Sequence, residues 1–127
     1  MGNHNLRAGK NMSFTSADGA PHPQSFWCLD RMSVEIGEQA LRLHFVGFHD
    51  AAAYDAERQP VAGAVKDYLV TGQAFLSAVG MVTEGEQPIS AEILRLAWQA
   101  ALDAKDTPDP AHEGQTISFF EAAVDAQ

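Results

Sequence analysis

Two histidines and a carboxylate lie close together in one short stretch of the chain. His44, His49 and Asp50 fall within the segment HFVGFHD. Imidazole and carboxylate groups form a ligand set for divalent metal ions, and together they can also act as a base that is oriented by an acid. The stretch therefore raises two chemical hypotheses, a metal site and an acid–base site.

The spacing of these residues argues against both hypotheses. On a strand, His44 and His49 differ by an odd number of positions, so their side chains point to opposite faces. They also do not form an HExxH pair. A kink at Gly47 could bring them together, but a third metal ligand would have to come from a distant segment. We therefore predict no metal, no cofactor and no catalytic residue, and we keep a metal-dependent enzyme built on His44, His49 and Asp50 as an alternative.

Two segments that alternate polar and apolar residues, FWCLDRMSVEI and ALRLHFVGF, predict the strands that position His44. Such alternation is typical of half-buried strands. A two-residue turn between them would place Val34 opposite Leu41 and Arg31 opposite His44. This register keeps the apolar side chains on one face, whereas a slip of one residue would mix the two faces.

Two further elements are predicted directly after the hairpin. Asp50 is suited to cap a short helix, AAAYDAER, which Pro60 would end because the residue before a proline favours extended geometry. The segment VKDYLVTG alternates like a strand and ends at Gly72. Asp50 and Pro60 thus have structural roles that require no chemistry.

The clearest helix is predicted to begin at Ser90, where a hydroxyl can cap the first turn. Its apolar residues, which include Trp98, form one stripe that would lie on the apolar face of the sheet. A small-ligand pocket near Trp98 is a further alternative. Residues 73–82 and 116–126 are compatible with helix or strand, although two phenylalanines in the latter indicate that it docks onto the domain.

These elements define an α+β fold. We predict a small antiparallel β-meander of about three to four strands, packed by one main amphipathic helix and a short C-terminal element. Residues 1–24 are rich in Asn, Gly, Ser and Pro and show no hydrophobic period, so we predict a flexible N-terminal arm. Residues 25–127 are predicted to form a single α+β domain, which is long enough to bury one core.

The acidic composition argues against two classes of partner, nucleic acids and membranes. The chain carries 17 acidic and 8 basic residues, a net charge of −9. Nucleic-acid binding requires Lys and Arg to neutralise phosphates, so we predict no nucleic-acid partner and no membrane partner. No apolar run approaches the roughly 20 residues of a membrane helix. The lone cysteine, Cys28, has Trp27 and Leu29 as neighbours and is expected to be a buried thiol.

The order of these features resembles that of small bacteriophage and prophage structural proteins of the tail-module type, over roughly residues 26–125. The residues that carry the likeness are Gly47-Phe48-His49-Asp50, Ala56, Arg58 and Pro60. The resemblance implies a non-enzymatic, virion-associated or assembly module, with other phage structural subunits or further copies of the chain as partners. It also implies the cytoplasm of the bacterial host, or the virion, as the location. It implies no catalytic residues.

One candidate contact surface follows from the predicted hairpin. Val46 and Phe48 would lie on the otherwise polar face of the second strand, beside Arg42 and His44. Exposed apolar residues that are surrounded by polar ones often mark an interaction site. We therefore predict an interaction patch formed by Val46, Phe48, Arg42 and His44.

Overall fold

The computed structural model describes residues 9–72, 85–87 and 91–125. In chain order, its elements are β1 (Lys10–Thr15), β2 (Pro21–Glu35), β3 (Ala40–Phe48), α1 (Ala51–Asp55), β4 (Val65–Val70), β5 (Gly85–Gln87), α2 (Ala91–Asp103), β6 (Thr107–Pro108), β7 (Thr116–Ile117) and β8 (Val124–Asp125). Within these ranges the fold is α+β, mostly antiparallel sheet with two short helices.

In the described part of the chain the main sheet has six strands, more than the three to four that we predicted. Strands β4, β3, β2, β1 and β8 are neighbours in that order, and β5 pairs with β2. Because β2 is 15 residues long, its first half can pair with β1 while its second half pairs with β5. Strands β6 and β7 form a separate two-stranded ribbon. The extra strands come from segments whose residues do not alternate clearly.

The prediction of a flexible arm over residues 1–24 is wrong for residues 9–24. Strand β1 lies between β2 and β8, and Met12 pairs with Ser25. A polar segment can be ordered when its backbone groups pair with neighbouring strands, and composition does not reveal such pairing. Residues 1–8 lie outside the described residues.

The predicted register of the hairpin between β2 and β3 is confirmed. Val34 pairs with Leu41, and Arg31 pairs with His44. The predicted third strand is β4, which pairs with β3 and places Asp67 opposite His44. The alternation of the two hairpin strands was therefore a sufficient guide to their pairing, whereas β4 was predicted as a strand without a register.

A β-bulge at Asp30 reverses which residues of β2 face the main core. The register with β3 shifts at this residue. Trp27 before the bulge and Met32 after it both face the main core, although one position is odd and the other even. One extra residue has this effect because successive side chains of a strand point to opposite faces. As a consequence, Phe26 and Cys28 belong to a second apolar cluster on the other face.

The main core lies between the sheet and α2. The helix buries most of the predicted stripe, namely Ile93, Leu94, Ala97, Trp98 and Ala101. The ring centroid of Trp98 lies 4.7 Å from that of Phe45 and 5.0 Å from that of Phe120. The rings of Phe45 and Phe120 therefore pack against Trp98 in the main core. The small-ligand pocket near Trp98 stays a prediction.

The C-terminal segment docks onto the domain as predicted. Phe120 is fully buried, and β8 pairs with β1 at the side of the sheet. The segment that was compatible with helix or strand therefore contains short strands. The other such segment, residues 73–82, lies outside the described residues.

Candidate functional site

Val46 and Phe48 are buried, so the prediction of an exposed apolar patch at these residues is wrong. They are 7% and 9% exposed. Both pack with Phe26 and Cys28 beneath α1, where the ring of Tyr54 lies 5.3 Å from that of Phe48. The run FWCL did carry a signal of this second cluster, because consecutive apolar residues on a strand indicate burial of both faces.

Asp50 positions α1 over the second cluster. Its carboxylate accepts a hydrogen bond of 2.8 Å from the backbone N–H of Ala53, which confirms the predicted helix cap. The helix ends at Asp55, earlier than the predicted segment. Asp50 therefore has a structural role at the start of the element that covers Val46 and Phe48.

Beyond α1, the same face of the sheet is polar and open to solvent. Two cross-strand rows form this polar sheet face, Arg31, His44 and Asp67 in one row and Ser33, Arg42 and Leu69 in the next. Its side chains line a depression of about 400 Å³. Leu69 is 55% exposed, and the side chain of Arg42 is 54% exposed. Of the predicted patch, Arg42 and His44 belong to this surface.

Hydrogen-bonded ion pairs organise the polar sheet face. Nε of Arg42 donates to Glu35 at 2.8 Å, and Nδ1 of His44 lies 2.5 Å from a carboxylate oxygen of Asp67. The hydrogen bond from Arg42 holds the pKa of Glu35 below its ordinary value, and the same bond raises the pKa of Arg42. Among the residues that the structure describes, Arg31 has no ion-pair partner.

Part of the polar sheet face was predicted from the sequence. The predicted register already placed Arg31 opposite His44, but it did not mark Arg31 as a site residue. Asp67 and Leu69 were also missed, because β4 was predicted without a register against β3. The alternation of β4 could have identified them, since Asp67 and Leu69 share a face of that strand.

The structure separates His44 from His49 and Asp50. His44 and His49 are five positions apart, which corresponds to about 16 Å along a strand that rises roughly 3.3 Å per residue. His44 contacts Asp67, whereas Nδ1 of His49 lies 2.9 Å from Nδ1 of His22. Within the described ranges, no three His, Cys, Asp or Glu side chains gather closely enough to hold a metal ion. The structure therefore does not bring His44 to His49 and Asp50, the three residues of the metal-dependent alternative.

Comparisons with protein-family models, with curated proteins and with solved structures gave no match to this chain. In the parts of the chain that the structure describes, no helix has the length and apolar character needed to cross a membrane.

Proposed function

We propose that the protein is a non-enzymatic interaction module that binds another protein subunit through its polar sheet face. One observation carries this proposal: the guanidinium of Arg31, which has no ion-pair partner among the described residues, and the exposed side chain of Leu69 line one depression on the sheet. Protein interfaces combine apolar contact area with a few polar groups, and arginine is enriched among the residues that dominate binding. Here Arg31 would supply the charged group and Leu69 the apolar contact area.

Arg31 is the charged anchor of the proposed interface. Its guanidinium presents several donors in a planar fork that fits a partner carboxylate in a bidentate arrangement. The neighbouring Arg42 and His44 are already held by Glu35 and Asp67. Because these side chains are ordered in advance, binding loses less conformational entropy than it would with free side chains.

Leu69 is the apolar anchor. It lies on β4, the outer strand of the described sheet path, and Val65 on the same side of that strand is 48% exposed. Complete burial of one such aliphatic side chain contributes roughly 1.5–3 kcal/mol. A partner that covers β4 and the depression would therefore gain apolar contact next to the charged row.

The resemblance to small phage and prophage proteins supports a structural subunit as the partner. We propose that this subunit belongs to a virion or to one of its assembly intermediates, and that the protein acts in the host cytoplasm or in the virion. Another copy of the chain is the second partner that the resemblance supports.

The test is a binding assay between the full chain and the products of the genes that flank its own. Wild-type protein should capture one of these products, or should self-associate in sedimentation velocity. The double variant Arg31→Glu, Leu69→Asp should weaken that binding by at least about tenfold. The variant Arg95→Glu, which changes an exposed arginine of α2, should bind like the wild type.

Two results would refute the proposal. One is a wild-type protein that captures none of the flanking gene products and sediments as a monomer at high concentration. The other is a folded double variant that binds as tightly as the wild type. Thermal unfolding of each variant shows whether a loss of binding comes from loss of the fold.

A further inference from the structure

A pair of imidazoles lies beside α1, at the opposite end of β2 from the polar sheet face. Nδ1 of His22 is 2.9 Å from Nδ1 of His49, and the two ring planes are inclined by 78°. His22 belongs to β2 and His49 directly follows β3, so the fold brings the two side chains together. The side chain of His49 is 62% exposed, so ions from solvent can reach the pair.

We propose that His22 and His49 form a binding site for Cu²⁺ or Ni²⁺ through their Nδ1 atoms. Two imidazole nitrogens that bind one such ion at about 2.0–2.1 Å lie about 2.9–3.4 Å apart, depending on the angle at the metal. The observed distance between the two Nδ1 atoms is 2.9 Å, so both can reach one ion. Imidazole is a preferred ligand of Cu²⁺ and Ni²⁺, and these two ions bind nitrogen ligands tightly among the divalent metals of their row.

The backbone holds both ligands in place before the metal arrives. His22 stands between Pro21 and Pro23, whose rings lock their φ angles, and the strand that contains it is paired with β1. His49 lies between the end of β3 and the capping residue of α1. Ligands on an ordered backbone lose little conformational entropy when they bind.

The carboxylate of Asp50 adds a negative charge beside this site. Its Oδ2 lies 3.9 Å from Nε2 of His49, the ring nitrogen that the metal would not use, which is longer than a hydrogen bond. The negative charge at this distance favours a bound cation. The other oxygen of Asp50 accepts from Ala53, so the carboxylate is itself fixed.

The site has two protein ligands, and no third His, Cys, Asp or Glu joins them among the described residues. Water would fill the remaining coordination positions. The ring that donates the hydrogen bond must free its Nδ1 for the metal, and its proton then moves to Nε2 of the same ring through solvent, so that both ligands are neutral imidazoles. Protons compete with the metal for these ring nitrogens, so binding weakens in acid.

The test is calorimetric titration of the full chain with Ni²⁺ near neutral pH, together with electron paramagnetic resonance of the Cu²⁺ complex. All proteins carry the substitution His4→Ala, because the chain has another imidazole at that position. This protein should bind one metal ion, and the Cu²⁺ spectrum should show coupling to imidazole nitrogen. His22→Ala and His49→Ala should each weaken Ni²⁺ binding by at least about tenfold.

Matched controls separate this site from other histidines. His44→Ala and His112→Ala remove imidazoles that contact Asp67 and Asp109, and should leave the affinity unchanged. Asp50→Asn keeps the helix cap, since Asn caps as well as Asp, but it removes the negative charge and should weaken metal binding a few-fold. An unchanged affinity in this variant would overturn the contribution of the Asp50 charge.

Absence of binding at about 1 mM metal, which corresponds to a free energy weaker than about −4 kcal/mol, would overturn the site itself. Equal affinities of His22→Ala and the parent protein would overturn it as well. Unfolding curves recorded without metal show whether each variant is folded. The polar sheet face takes no part in these measurements, so their outcome is independent of the proposed function.

Discussion

Nζ of Lys66 lies 3.0 Å from Oδ2 of Asp106, and this ion pair ties the segment after α2 to β4. The two side chains are only 28% and 29% exposed. Asp106 also accepts a hydrogen bond of 3.0 Å from the backbone N–H of Phe119, and Nζ of Lys66 lies 4.9 Å from the centroid of the Phe119 ring. One carboxylate therefore joins three segments that are distant in the sequence.

Asp106→Asn should lower the free energy of unfolding at neutral pH by about 1 kcal/mol, since the pair is partly exposed. Burial acts to raise the pKa of Asp106, but the hydrogen bonds from Lys66 and from the Phe119 N–H outweigh burial and hold the pKa below its ordinary value of 3.8. A lowered pKa in the folded state stabilises the protein fully above the unfolded-state pKa, and this contribution is lost as the pH falls through the folded-state pKa.

Urea unfolding at neutral pH and at about pH 2.5 measures this effect. The difference between wild type and Asp106→Asn should be largest at neutral pH and should shrink in acid. Glu92→Gln is the control, because the side chains of Glu92 and Arg95 are 68% and 67% exposed and such pairs contribute little. A difference that grows in acid would contradict the predicted role of Asp106.

Deletion of Asp30 should be much more damaging than its substitution. The deletion removes the bulged residue, so either Trp27 and its neighbours or the second half of β2 must exchange faces of the sheet. Trp27 is fully buried in the main core. We expect a loss of at least about 3 kcal/mol for the deletion, and a change within about 0.5 kcal/mol for Asp30→Ala at this exposed side chain. Unfolding in guanidinium, followed by tryptophan fluorescence, measures the stability of the deletion variant and of Asp30→Ala. Equal midpoints would show that the bulge does not determine which side chains of β2 face the main core.

Gly47→Ala should destabilise the protein because the new methyl group has no space. A Cβ atom at this position would lie 2.7 Å from Cε2 of Trp27 and 3.0 Å from Cβ of Ala64. Overpacking of this kind typically costs about 1–3 kcal/mol. Gly37→Ala is a matched control, since a Cβ there meets no atom within 4 Å and both changes restrict the unfolded chain alike. Thermal unfolding of the two variants is the measurement, and a lower midpoint for Gly37→Ala would contradict this expectation.

Cys28 should be unreactive in the folded protein. Burial raises the pKa of its thiol to about 12, with a further contribution from the charge of Asp30. The thiolate is the reactive form, so a chromogenic disulfide reagent near pH 8 should modify the native protein slowly and the guanidinium-unfolded protein quickly. Similar rates in the two states would show that the second apolar cluster does not protect Cys28.

The local pattern of polar and apolar residues predicted the hairpin strands, β4 and most of α2. The pairing of Val34 with Leu41 and of Arg31 with His44 followed from alternation, because the face on which a strand residue lies depends on its immediate neighbours. The cap at Asp50 followed from the same kind of local information, since the carboxylate bonds to a backbone group three residues away. The polar half of the candidate site, Arg42 and His44, was predicted for this reason.

Sequence pattern was therefore enough to predict β2, β3, α1, β4 and α2, the register of the hairpin and the polar character of one sheet face. Three features became evident only in the folded chain: Val46 and Phe48 are buried, residues 9–24 join the sheet, and His22 contacts His49. These outcomes depend on a bulge at Asp30, on the return of α1 over the sheet, and on backbone pairing between distant segments. Such contacts are fixed by packing across the whole chain, which the pattern of neighbouring residues does not record.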